Sequence, residues 1–338
     1  MSERHPNPYI VGPLYDWVFF LLPPLVSLAL GIFISGSAFS SRSMVFIGVE
    51  TTGAKLAIGV LTHAHLVAVF FRSHGNPAIR RLYPGRFFLI PVLLFLAIRS
   101  SAWIALTSTV VAVFWDVWHS GAQTFGFARI YDRNAGNPPA LGRRLDYFLN
   151  QLLYAGPILG GITLVDHLVQ LGGYQELGTT LFVAVPLYAV SWRRYLTIAV
   201  LAVGTLYLLY YIYAYMRLYR RGYRIAPLKM FLVVTTGACS IYSWGLNSWG
   251  EAFFIMNLFH AVQYLALVWA TELRQGSESS GKKKALVLAA YLGGVLAYGL
   301  CAELVDLRLE TLWSITMVVA LLHFFYDGFI WSVAKRQI

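Results

Sequence analysis

The stretch Tyr195–Met216, YLTIAVLAVGTLYLLYYIYAYM, runs for 22 residues without a charged side chain. As a helix rising 1.5 Å per residue it is about 33 Å long, the thickness of a bilayer's hydrocarbon core. Similar apolar blocks occupy 14–35, 54–72, 86–99, 102–128, 147–166, 228–246, 251–271, 285–303 and 311–333. The block at 86–99 is short and contains Pro91, which predicts a kink or an earlier start. A further piece, 178–191, is too short to cross and is expected to be a re-entrant or interfacial helix. The expected fold is therefore all-α: a polytopic transmembrane helical bundle of about ten spans. It forms a single transmembrane domain over residues 1–338, with no separate soluble domain.

Composition agrees. The chain is 58% hydrophobic and 16% aromatic, with only 12% charged residues. An ordinary soluble domain carries about 25% charged residues, so water is a poor solvent for this chain and lipid a good one. No alternating ten-residue pattern suggests a membrane barrel. The first block follows Met1–Pro13 without a convincing cleavage site, which makes it a retained span in this reading. Cys239 and Cys301 both lie in apolar runs and make neither a disulfide framework nor a metal-ligand spacing.

The formal charge of +11 gathers in a few loops. Arg72, Arg80, Arg81 and Arg86 form one cluster, and Arg129, Arg133, Arg143 and Arg144 another. Arg217, Arg220, Arg221 and Arg224 form a third, and Arg274 with Lys282–Lys284 a fourth. Lys335 and Arg336 close the chain. Cytoplasmic loops are enriched in Lys and Arg, so all five are expected on the cytoplasmic side. That places both termini inside, in an integral membrane protein expected in a bacterial inner membrane. Charge segregated in this way reflects orientation and argues against nucleic acid as a partner.

Five of the eight histidines fall inside apolar blocks: His63, His65, His119, His260 and His323. Polar side chains at membrane depth are costly, which makes each a candidate site residue. Nine residues separate His63 from Arg72, and ten separate His119 from Arg129. Fourteen separate His260 from Arg274, and twelve separate His323 from Lys335. These offsets correspond to roughly 13 to 21 Å along a helix, so the four helices are expected to present imidazole at one layer. Polar residues accompany them at helical spacing: Asp116 and Gln123 around His119, Asn257 and Gln263 around His260, Asp327 after His323. They are read as ligands or as acceptors for the second ring N–H of a metal-bound imidazole. His63 and His65, two positions apart, cannot both face inward from one straight helix. His74, just past that block, reads as a surface residue.

Trp115–Asp132, WDVWHSGAQTFGFARIYD, sets Asp, His and Gln on one face, with Gly121 and Gly126 permitting close approach. Phe259–Trp269, FHAVQYLALVW, is a local echo of it. Glu251 reads as an interfacial cap, and Glu303, Asp306 and Glu310 as a solvated outer loop. The tyrosines at 207, 210, 211, 213, 215, 219 and 223 go all round their helix and read as packing and interface anchors.

On the isolated intramembrane histidines, the chain resembles the membrane-embedded multi-histidine non-haem iron enzymes. These include the Brp/Blh-type carotene dioxygenases and the fatty-acid desaturases and hydroxylases. Desaturase-type boxes of the form HxxxH and HxxHH are absent, which sets the likeness nearer the carotene-cleaving type. The resemblance implies mono- or dinuclear iron, dioxygen and a hydrophobic or lipid substrate reached from the membrane. The expected function is a membrane metalloenzyme, an oxidoreductase acting on a lipid-like or isoprenoid substrate, with a separate electron donor as a possible partner. The same residues allow zinc, manganese or haem b in place of non-haem iron. They also allow a proton-coupled transporter without a resident metal.

Overall fold

In the computed structural model, residues 7–164, 175–247, 250–274, 281–305 and 310–331 are described. The architecture is all-α, with one small hairpin. α1 (Pro13–Asp16) runs into a π-helical turn, Trp17–Leu21, and is followed by α2 (Pro23–Ile34) and α3 (Ala38–Ser41). β1 (Met44–Phe46) pairs antiparallel with β2 (Val49–Thr51). Next come α4 (Gly53–Ser73), α5 (Pro77–Leu82), α6 (Pro84–Ser100), α7 (Ala102–Asn134) and α8 (Arg143–Gly160). α9 (Gln175–Arg220) precedes α10 (Pro227–Ser240), which ends in a π turn, Ile241–Leu246. α11 (Ala252–Val268) ends likewise in Trp269–Leu273, and α12 (Gly281–Glu303) and α13 (Glu310–Ile330) complete the fold.

Among the described residues, six helices are long and apolar enough to cross a membrane: α4, α7, Ser191–Arg220 of α9, Ala252–Leu273, α12 and α13. The pair Pro13–Leu21 and Pro23–Ile34 makes a seventh if it counts as one span, bent by 46°. Pro23 and Pro24 remove two backbone donors there, which accounts for the bend. Ten crossings are therefore not supported. The expected blocks at 86–99 and 228–246 do fold as helices, but α6 reaches only about 26 Å and α10 about 21 Å before its π turn. α8 carries Arg143, Arg144 and Asp146 in its first turn. The expected separate helix at 178–191 is also corrected, because its backbone continues without a break into α9. Arg193 and Arg194 interrupt hydropathy there but not helix formation, at which arginine is good. The 46 residues of α9 extend about 69 Å, more than twice the hydrocarbon thickness.

The chain divides into two compact units. One comprises 1–28, 116–252 and 332–337, and the other 29–115, 253–331 and 338. In the second unit α4 packs on α12 and α13, and α13 also on α6. α4 starts at Thr52, whose hydroxyl accepts the Lys55 amide at 3.3 Å. At Gly299 of α12 a Cβ would collide with the Val60 carbonyl and sit 3.0 Å from the Ala64 nitrogen. Only glycine lets the two backbones approach so closely.

In the first unit α8 packs against α9 and α10. Thr197 donates to the Gly160 carbonyl at 2.6 Å, and Thr163 to the Trp244 carbonyl at 2.8 Å. A buried ionic cluster ties these helices to α7. Arg129 pairs with Asp132 at 2.6 Å and also with Asp146, while Lys229 lies 2.8 Å from Asp146 and 3.7 Å from Asp132. Tyr211 and Tyr215 donate to Asp146 at 2.9 and 2.6 Å, and Tyr223 donates to Asp132. Two cations thus face two carboxylates in the interior, and three phenols and Asn137 supply further donors. Arg129 is an internal counterion rather than a loop cation, and part of the tyrosine run serves the same cluster.

Candidate metal centre

Three histidines meet inside the second unit. His65 comes from α4, His260 from α11 and His323 from α13, exposed by 1%, 1% and 0%. The His65 ring sits with its centroid 4.9 Å from those of both His260 and His323, edge to face in each case. A His65 nitrogen and a His260 nitrogen lie within 4.8 Å of one another. Neither His65 nitrogen makes a hydrogen bond of ordinary geometry, although both are shielded from solvent. The carbonyls of Leu61 and Thr62, one turn back, are its nearest polar neighbours on its own helix. A buried imidazole with only such poorly aligned backbone neighbours is costly, so this one has room for a better partner.

His323 is better fixed. Its Nδ1 lies 3.0 Å from the Leu66 carbonyl oxygen, which only accepts, so Nδ1 carries the proton. The Nε2 lone pair of that tautomer points 3.5 Å from Asp327 Oδ2, one turn further along α13. Two acceptors then face one another, and a cation or a shared proton between them removes the repulsion. Asp327 Oδ1 is held separately, accepting from the Tyr264 hydroxyl at 2.8 Å and the Trp331 indole at 2.9 Å. The Tyr264 ring also packs on His323, at 4.7 Å.

Around this core lies a second ion pair. Arg72 bonds Glu272, donates Nε to the Ile330 carbonyl at 3.0 Å, and stacks over the Trp331 ring at 4.0 Å. Asn76 donates to the other Glu272 oxygen at 2.9 Å. Arg72 had read as a loop cation, but it is buried and ties α4 to α11 and α13. Tyr264, Trp331 and the Arg72–Glu272 pair escaped the sequence reading. The only signal for Tyr264 was its position one turn after His260.

The other expected residues are placed as follows. His63 faces Glu303 at 3.6 Å, so Glu303, expected in a solvated outer loop, is instead partly buried at the end of α12. Gln263 is fully buried on α11. Asn257 donates its amide to the Phe253 carbonyl of its own helix at 3.0 Å. His119 is buried in the second half of α7, which belongs to the first unit, with Asp116 and Gln123 on the same helix. His74 is half-buried among Phe70, Phe87 and Tyr326, with Nε2 3.0 Å from the Phe87 carbonyl. Its pKa is lowered, by burial first and then by Arg80.

Three imidazoles and a carboxylate from three helices form a donor set that suits iron, manganese or zinc. The fixed His323 tautomer and the doubly hydrogen-bonded Asp327 are the supports such a centre needs. No family model, no curated protein and no solved structure matches the chain.

Proposed function

We propose that the second unit holds a metal ion on His65, His260, His323 and Asp327, and that the protein is a membrane metalloenzyme of the oxidoreductase or oxygenase type. The observation that carries this reading is His65, a buried ring without a hydrogen bond of ordinary geometry, bracketed by two further imidazoles. Iron is the metal proposed, with zinc and manganese as alternatives for the same donors. When bound, it would supply redox chemistry toward dioxygen in a site shielded from bulk water. The chain's own groups keep distinct roles: Leu66 orients His323, and Tyr264 and Trp331 hold Asp327. His rings packed edge to face favour convergence on one ion over axial ligation from opposite sides of a haem.

The substrate proposed is lipid-like or isoprenoid. Its support is the apolar exterior: no part of the apolar window in Ser191–Arg220 is buried, which leaves Leu201, Leu206 and Ile212 outward. Such a surface belongs in lipid, so an apolar substrate reaches the protein sideways. A separate electron donor, a bacterial inner membrane and cytoplasmic termini complete the proposal.

Metal content and the optical spectrum, measured on one detergent-purified sample of the full chain, test it. The expected result is stoichiometric iron without a Soret band, lost in His65→Ala and retained in His63→Ala. Equal iron in wild type and His65→Ala overturns the centre, and a Soret band replaces it with haem. His119→Ala tests the remaining histidine that the sequence assigned to the metal.

A proton path is the second reading. It is favoured by Asp327 and His323, a carboxylate and an imidazole 3.5 Å apart on an apolar helix. Metal-free protein that moves a solute with a proton gradient would select it.

A further inference from the structure

The first unit carries a cavity of about 540 Å³ where α8 begins beside the end of α9. Arg143, Arg144, Arg217 and Arg221 line it, with Tyr210 and Tyr213. No carboxylate lines it, and among the described residues none of the four arginines has an ion pair. Arg143 lies over the Phe125 ring and Arg217 over the Tyr213 ring, each at 5.8 Å. The reason lies one layer deeper, where Asp132 and Asp146 are already committed to Arg129 and Lys229. Four guanidinium groups are left concentrated around one concavity, and their planar forks match phosphate oxygens.

The local backbone adds to this. α8 starts at Gly142, in the left-handed region at φ 70°, with no side-chain cap. A Cβ at Gly142 would collide with the Tyr215 hydroxyl, so only glycine leaves the turn intact.

The surroundings decide between a soluble anion and an amphiphile. Phe148, Ile212 and Met216 are exposed on the same helices. The arginine cavity thus sits at the end of two helices whose next turns expose apolar side chains, the arrangement of a phosphate headgroup above hydrocarbon.

We infer that this cavity binds the phosphate headgroup of an anionic membrane phospholipid. The site is separate from the histidine cluster and does not depend on a metal being bound there. It also gives the Arg143–Arg144 and Arg217–Arg221 clusters a role besides orientation.

Native mass spectrometry of the full chain, titrated with phosphatidic acid, phosphatidylcholine or inorganic phosphate, tests the inference. The expected result is retention of phosphatidic acid at least tenfold tighter than phosphatidylcholine, with no displacement by millimolar inorganic phosphate. Arg143→Gln with Arg217→Gln is expected to lower that affinity at least tenfold. Lys282→Gln with Lys283→Gln, exposed cations at the start of α12, is expected to leave it unchanged. Equal retention of the two lipids, an unaffected arginine variant, or full displacement by inorganic phosphate overturns the inference. If the arginine variant fails to fold, the wild-type lipid ranking and phosphate competition decide alone.

Discussion

His63 and His65 stand two positions apart on one helix, about 200° around its axis. That spacing forbids a common target, and α4 resolves the conflict by giving His65 to the cluster and His63 to Glu303. Asp327 shows the same economy within one residue. Its Oδ1 takes two neutral donors, while its Oδ2 faces the His323 ring. Asp327→Asn keeps an oxygen for Tyr264 and Trp331 but replaces the second acceptor by an amide donor. The folded variant is expected to bind iron about 10–100-fold more weakly in a chelator competition. Iron retained as tightly as in wild type removes Asp327 from the ligand set.

The helices of the second unit are set by close backbone contact as much as by side chains. Gly299 is the point where α12 touches the backbone of α4 at Val60 and Ala64, the latter between His63 and His65. Even one methyl group there pushes α4 outward. Gly299→Ala is expected to cost about 1–3 kcal/mol, read as a lower unfolding midpoint in detergent, because overpacked atoms find no space. Gly293→Ala on the same helix meets open space and is the control. Equal midpoints for the two variants disprove the contact. α9 gives a different lesson about elements. Hydropathy divides it at Arg193 and Arg194, while backbone hydrogen bonding ignores the division, so one helix forms where two were expected.

Two compact units share one chain of α-helices, six of which have the length and hydropathy of membrane spans. The number of crossings decides whether the ends of the chain share a side, since an even number returns the chain to where it began. Fusions at each end to a phosphatase, active only outside, and a fluorescent protein, bright only inside, read this directly. Both ends are expected on the cytoplasmic side. Ends on opposite sides would make the bent pair a full span and the crossings odd.

The sequence by itself determined the helical class and the apolar character that suits lipid. Long uncharged runs exclude a water-filled surface, and in lipid every backbone group must pair within its own segment, which leaves helices. It also marked His65, His260, His323 and Asp327 as out of place in apolar helices. Only the tertiary structure decided which polar groups share a partner. Arg72 and Arg129 look like loop cations in one dimension, yet each is buried against carboxylates that are distant in sequence. Tyr264 and Trp331 became visible as supports of Asp327 only once α11 and α13 lay side by side. Helical periodicity gives the face a side chain occupies. Which helix that face meets depends on close packing and on the balance of buried charge, and both are properties of the folded chain.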